Sequence, residues 1–378
     1  MKIKRYIDNQ LFKDFKSNKV IVLLGSRRVG KTFLIQQLLA KYKGKKLLLN
    51  GEDADVQEAF RKRSIANFKR LVGSTQLLVI DEAQAIPQIG AALKLIIDSH
   101  PRLTILATGS SALDLLNKTG EPLTGRSFTY LLYPIAQLEL NENAIQAKSN
   151  LEERLILGSY PELFQLKTSK EKQRYLKELT QSYLLKDILA YTGIRQAGKL
   201  TDLLRLIAYQ IGSEVSYHEL SRSLGINKIT VEHYLDLLQK VYILFKLPSY
   251  STNQRNELSK GAKWYFFDNG IRNAIIQDFR VPGLRNDLGA LWENYIIAER
   301  FKRNSYLQKN RQLFFWRTYQ QQEIDLIESE NGMINAFEIK YNQKSKSKPP
   351  LAFTARYPTT PFITINPDNY LEFIGADN

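Results

Sequence analysis

The stretch VIVLLGSRRVGKTFLIQQLLAKY, residues 20–42, decides how this chain is read. Its first five residues are uniformly apolar, as expected for a strand covered on both faces in a parallel sheet. The last ten carry leucines and an isoleucine at helical spacing. Between them GSRRVGKT, residues 25–32, fits G-x-x-x-x-G-K-[ST] with a strand before it and a helix after it. Gly25 and Gly30 let the backbone curl so that its N–H groups surround a phosphate, and the helix N-terminus turns its positive dipole end toward the same place. Lys31 then reaches the β- and γ-phosphates of a nucleotide, and Thr32 ligates magnesium. The whole span of Gly25, Ser26, Arg27, Arg28, Val29, Gly30, Lys31, Thr32 and Phe33 is expected to line the nucleotide. The competing reading, a glycine turn beside a solvated lysine, does not explain the strand and helix on either side.

Outward from this motif, KLLLN, QLLVIDE, LTILATGS and SFTYLL alternate with helical patterns as far as residue 135, the rhythm of a parallel α/β sheet. Leu77–Ile80 ends in Asp81-Glu82. After a phosphate loop, such a pair reads as Asp81 holding magnesium through Thr32 or water, and Glu82 orienting or deprotonating the attacking water. The next strand ends in Thr108-Gly109-Ser110-Ser111. Ser110 is a candidate to hold that water or the γ-phosphate, with a helix N-cap role for Ser110 or Ser111 as the alternative. Arg126, in LTGRSF, is either an arginine finger acting in cis or in trans, or a surface arginine.

Composition sets the frame. A chain of 378 residues is long for one core, so two or three domains are expected, and 43% apolar residues suffice for globular folding. Lys and Arg outnumber Asp and Glu by 54 to 38, for a net charge of +16. That balance favours a polyanionic partner, DNA ahead of RNA. No apolar run approaches the ~18 residues of a membrane span and the first fifteen residues lack a signal-peptide core, so a cytoplasmic protein with no membrane partner is expected. The absence of cysteine excludes disulfides and thiolate metal sites, and the three histidines are scattered.

Residues 150–210 turn helical, and residues 214–247 show two short helices broken at Leu224-Gly225-Ile226-Asn227, the punctuation of a helix-turn-helix. Asn227, Lys228, Thr230 and His233 lie at the start of the helix that would enter a DNA groove. Beyond Trp264 the pattern is again mixed: a helix over LGALWENYIIAERFKRN, then strands in LFFWRT, EIDLIES and NAFEIKY. On a strand, Glu338 and Lys340 share one face while Phe337 and Ile339 take the other. A hairpin turning at Ser329–Gly332 would bring Asp325 to the same face, with Glu293 on the helix packed across it. Asp325 and Glu338 are candidate metal ligands, and Lys340 a candidate to position water or stabilise a phosphorane.

The order of these parts, together with RYID before the phosphate loop, GSYPEL, and LPSYSTNQRNELSKGAKWYFFDNGIRNAI, resembles the bacterial and archaeal AAA-family ATPases that carry a C-terminal domain of unknown function related to restriction endonucleases. The resemblance spans nearly the whole chain. It implies an α/β fold: an AAA-plus core of strand order 5-1-4-3-2 over residues 1–140, a helical lid over 141–200, a winged helix over 201–259, and a restriction-endonuclease-like α/β domain over 260–378. Ser110 then matches the position of sensor 1, and Glu293, Asp325, Glu338 and Lys340 look like a PD-(D/E)xK nuclease set. ATP and Mg²⁺ are the expected cofactors, the resemblance itself implies no established substrate, the basic charge points to nucleic acid as partner, and a trans role for Arg126 requires a homo-oligomer. Two other readings stay open: an ATP-dependent switch whose last domain only binds a partner, and a winged-helix DNA-binding regulator.

Overall fold

A computed structural model describes residues 3–110, 123–184, 196–251, 261–342 and 347–375, the last three residues of the second span by backbone alone. Ser111, much of the segment after Tyr183 and part of the polar stretch at 344–350 lie outside the described residues. The chain forms two compact units, Lys2–Tyr133 with Lys240–Tyr242, and Pro134–Gln239 with Ile243–Asn378.

The first unit is built on five parallel strands, β1 (Val20–Leu24), β2 (Lys46–Asn50), β3 (Leu77–Asp81), β4 (Thr104–Gly109) and β5 (Ser127–Leu131), in the order β2-β3-β4-β1-β5. This is the 5-1-4-3-2 arrangement read from the other edge. β1 and β4 are buried along their whole length, whereas edge strand β2 keeps Lys46, Leu48 and Asn50 exposed. Helices α1 (Asp8–Asp14), α2 (Lys31–Lys41), α3 (Ala54–Arg61), α4 (Ile65–Val72) and α5 (Ile89–Ser99) accompany the sheet. Phe60, Phe68, Leu93 and Ile96 from these helices pack on Val20, Val22, Leu78, Ile80 and Ile105 in one continuous core. Asp53 and Ser64 cap α3 and α4, each accepting a backbone N–H of the first turn.

The second unit opens with helices α6 (Ala144–Leu157), α7 (Ser169–Glu178) and α8 (Ala197–Tyr209). Strand β6 (Glu214–Val215), helices α9 (Tyr217–Leu224) and α10 (Lys228–Lys240), and strands β7 (Leu244–Pro248) and β8 (Ala262–Phe266) follow, the strands forming an antiparallel sheet of order β6-β8-β7. After α11 (Asn269–Ile276) comes the long α12 (Leu288–Tyr306). Then β9 (Gln312–Arg317), β10 (Glu323–Glu330), β11 (Met333–Ile339) and β12 (Phe362–Ile365) make a mixed sheet of order β12-β11-β10-β9, with α13 (Leu351–Arg356) and α14 (Tyr370–Ile374). The turn between β10 and β11 is the two residues Asn331-Gly332, both at positive φ, which suits the right-handed twist of a tight hairpin.

The sequence reading cuts the chain at 140, 200 and 259, whereas the fold breaks at Tyr133–Pro134 and the rest, apart from Lys240–Tyr242, packs as one unit. Buried hydrogen bonds explain the difference. Asn269 and Asn273 donate to the carbonyls of Leu155 and Ile156, and the Asp268 carboxylate accepts from the Ser159 N–H. Breaking these contacts would strand buried polar groups, at about 1–3 kcal/mol each. Among the described residues no helix is long and apolar enough to cross a membrane.

Candidate functional site

Because every strand of the first unit runs the same way, the C-terminal ends of β1, β3 and β4 meet at one sheet edge. The Gly25–Thr32 loop follows β1 there. A Cβ on Gly25 would lie 2.2 Å from the Leu132 carbonyl oxygen, so only glycine fits. Gly30 turns at φ 96° into the start of α2. Lys31 is buried, its ammonium donating to the carbonyls of Gly25 (2.9 Å) and Ser26 (3.2 Å). Thr32 donates its hydroxyl to Asp81 Oδ2 at 2.8 Å, which brings together the two groups expected at magnesium. Asp81 also accepts from the buried Thr108 hydroxyl, whose oxygen in turn takes the Glu82 N–H at 3.1 Å. Ser26 and Val29 are buried, Arg27 faces Glu52 at 3.8 Å, Arg28 sits in the left-handed region, and Phe33 stands half exposed at the helix start.

Glu82 has φ 49° and ψ 42°, a strained backbone for a non-glycine residue and one that concentrates at functional positions. Gln84 donates one amide nitrogen to Glu82 Oε2 (2.5 Å) and to Ser110 Oγ (3.2 Å), which puts Ser110 beside the acidic pair through a side chain that sequence reasoning passed over. Arg5 was passed over too. From the RYID stretch its guanidinium reaches the Val29 carbonyl of the phosphate loop (2.7 Å) and the Tyr133 carbonyl (2.6 Å), which is the physical content of that phrase. Arg126 lies elsewhere. Its carbonyl accepts from Val20, so it sits at the N-terminal edge of the sheet, a strand length of about 16 Å from the loop at roughly 3.3 Å per residue. There it pairs with Asp98 at 2.8 Å. Arg126 thus lies at the sheet edge opposite the phosphate loop of its own chain.

In the second unit the hairpin register sets Leu326 opposite Phe337, which puts Asp325 beside Glu338 on one face. The Lys340 ammonium is 2.6 Å from Glu338 Oε1 and 4.0 Å from Asp325 Oδ2. Glu293 of α12 joins them by way of two residues of β8: Tyr265 donates its hydroxyl to Glu293 Oε1 (2.6 Å), and Lys263 approaches the same oxygen at 3.2 Å while also donating to Glu323. Burial raises the Asp325 and Glu338 carboxyls above their ordinary range and pushes Glu293 up to about 7. Burial pulls Lys263 the other way, but Glu293 and Glu323 outweigh it and hold its ammonium above the usual lysine value. Lys263, Tyr265 and Glu323 were not anticipated, although a lysine inside the otherwise apolar AKWYF is the signal that could have found them.

The four residues expected to converge do so, but with cations already among them. Among the described residues no three acidic or histidine side chains are grouped to hold a metal ion. Asp325 and Glu338 remain a two-carboxylate pair, and Mg²⁺ is commonly held by one or two carboxylates plus water and substrate phosphate. At α10 the Asn227 side chain accepts from the Thr230 N–H (2.7 Å) and hydroxyl (2.8 Å), and Lys228 faces Glu232 at 3.5 Å, so three of the four groups expected to read bases are engaged within the helix.

Residues 17–141 match the AAA domain family, and residues 148–281 and 288–372 match two separate domains of unknown function. An uncharacterized protein of Mycobacterium tuberculosis and one of Mycobacterium bovis are each 28% identical over 328 residues, covering 85% of this chain and 70% of theirs. The solved Walker-type ATPase of Pyrococcus abyssi aligns at 18% identity and a TM-score of 0.49, covering 73% of this chain and 96% of that one. The chain thus carries an AAA-family, ATPase-like P-loop domain, which supports nucleotide binding, followed by regions of unknown function.

Proposed function

We propose that this chain is a Mg²⁺-dependent ATPase whose second unit carries a nuclease-like site acting on nucleic acid, DNA ahead of RNA. The observation that carries the ATPase reading is the chain of contacts Thr32–Asp81–Thr108 beside a buried Lys31. Thr32 and Asp81 would hold Mg²⁺, which supplies charge neutralisation between the β- and γ-phosphates. Lys31 exchanges its loop carbonyls for phosphate oxygens. Glu82 orients and deprotonates the attacking water, and Gln84 aligns that carboxylate with Ser110 nearby. Arg126, facing away from its own nucleotide, acts in trans and needs a second copy of the chain.

For the second unit, support comes from Asp325 and Glu338 lying side by side with Lys340 on the same face. These two carboxylates would hold a divalent cation, which polarises a phosphodiester and lowers the pKa of a bound water. Lys340 then neutralises charge developing on the phosphate. The order helix, strand, helix, helix, strand, strand over α8 to β8 supports a winged helix in that stretch of the chain.

A switch whose second unit only binds a partner is favoured by one observation: residues 1–133 carry 22 Lys and Arg against 11 Asp and Glu, whereas the remainder carries 32 against 27. The basic excess thus lies mainly with the nucleotide unit. Purified protein incubated with DNA and RNA panels in Mg²⁺ or Mn²⁺, with and without ATP, separates the readings. ATP turnover that EDTA stops, with cleavage lost in Asp325→Ala, supports the proposal. ATP turnover with no cleavage and no salt-dependent nucleic-acid binding leaves the switch.

A further inference from the structure

We propose that Arg5 is a positioning residue of the nucleotide site: by holding the Val29 carbonyl from outside the phosphate loop, it turns the Gly30 N–H inward to meet the β-phosphate of ATP or ADP. This rests on the nucleotide-binding reading of the loop given above. Arg5 is 4% exposed, and its guanidinium forks between two main-chain acceptors, Nη1 donating to the Val29 carbonyl at 2.7 Å and Nη2 to the Tyr133 carbonyl at 2.6 Å. Tyr133 follows Leu132, whose N–H donates to the Leu24 carbonyl at 2.7 Å and whose own carbonyl oxygen leaves no room for a side chain at Gly25. The loop is thus fixed to the chain leaving β5 at two points, directly at Gly25 and through Arg5 at Val29.

Covalent geometry then sets the direction of the next donor. The peptide between Val29 and Gly30 is planar and trans, so its C=O and N–H point to opposite sides. With the carbonyl fixed by Arg5, the Gly30 N–H points away from Arg5. Arg28 (φ 63°) and Gly30 (φ 96°), both left-handed, flank Val29. Alternation of this kind gathers successive N–H groups into a concavity that takes an anion. The left-handed region is unfavourable for an arginine such as Arg28, and the bond from Arg5 to the following carbonyl helps to hold it there. The Gly30 carbonyl accepts from the Leu34 N–H at 3.0 Å and opens α2, so the Gly30 N–H stands at the head of that helix, next to Lys31. Arginine suits the task because its planar fork spans two acceptors, which the point donor of a lysine does not.

The test compares the full chain with Arg5→Ala and Arg5→Lys by calorimetric titration with ADP in Mg²⁺, steady-state ATP hydrolysis, and the Gly30 amide resonance of glycine-labelled protein. ADP should move the Gly30 amide proton of the unaltered chain strongly downfield. Arg5→Ala should lose that shift, bind ADP about 10-fold or more weakly, and raise KM for ATP by the same factor with kcat within about threefold, because the contact is made equally in the ground and transition states. Arg5→Lys keeps the charge without the fork and should fall between the two. A folded Arg5→Ala, or Arg5→Lys where the alanine variant does not fold, that binds ADP as tightly as the unaltered chain and keeps the shift, with only its melting temperature lowered, reduces Arg5 to a staple for the N-terminal segment. That result overturns the proposal while leaving the nucleotide reading standing. No binding of ADP or ATP by the unaltered chain overturns both.

Discussion

The nucleotide site and the acidic cluster handle charge in opposite ways. At the Gly25–Thr32 loop the protein offers backbone N–H groups, a helix N-terminus and one lysine to an anion that must come from outside, and Lys31 rests on loop carbonyls. In the cluster, four carboxylates are already met by Lys263, Lys340 and Arg317 from the same unit. The site that awaits its counter-charge holds its lysine on two loop carbonyls that a phosphate can replace. One that supplies its own becomes part of the fold's stability. Variants should therefore cost activity in the first region and folding in the second.

The largest effect is expected from Lys31→Ala, which should leave no measurable ATP binding or hydrolysis while preserving the melting temperature; nucleotide titration and a thermal scan on one preparation check both. Next, Arg126→Ala should slow turnover by about 10³–10⁵-fold at nearly unchanged nucleotide affinity, and specific activity should rise with protein concentration as the trans pair assembles. Turnover that is unaltered in this variant returns Arg126 to its surface ion pair. Glu82→Gln should keep ATP bound and slow hydrolysis by about 10²–10⁴-fold, and a variant that turns over normally would remove Glu82 from the mechanism.

On the other side of the comparison, Lys263→Met should destabilise the second unit by about 3 kcal/mol, because it removes a buried ammonium from the partly buried Glu293 and Glu323 carboxylates. Denaturant unfolding measures this, and a loss under 1 kcal/mol would mean that the cluster, like the nucleotide loop, is not part of the fold's stability. Smallest is Asp98→Ala, which breaks the half-exposed pair with Arg126 and should change stability by less than about 1 kcal/mol. If it also leaves turnover intact, Arg126 does not need Asp98 to be placed.

The phosphate loop and its acidic strand were legible because their chemistry is contiguous: eight residues carry the loop, and the apolar run before Asp81 fixes where that carboxylate emerges. Hairpin logic likewise brought Asp325 and Glu338 to one face, since alternation along two strands joined by a turn within Ser329–Gly332 suffices for that, while the two-residue Asn331-Gly332 turn set their register. Gln84 escaped notice because its role depends on Ser110, twenty-six residues away and reached only through the order of the sheet. Arg5 was quoted as part of a resemblance, but its contacts with Val29 and Tyr133 span 24 and 128 residues.

What the sequence determined by itself was therefore everything set by local periodicity and short motifs: a parallel α/β sheet at the start, the helices that follow, the nucleotide residues, and the shared face of Asp325, Glu338 and Lys340. Tertiary structure alone decided three things. It put Arg126 at the sheet edge opposite the phosphate loop, because parallel strands send their beginnings and ends to opposite sides. It joined the residues after Tyr133 into one unit, because Asn269 and Asn273 find their acceptors on a helix more than a hundred residues earlier. And it filled the acidic cluster with Lys263 from another sheet. Electrostatic neutrality is a property of a volume, and which side chains share a volume is fixed by packing over long sequence separations, which periodicity does not encode.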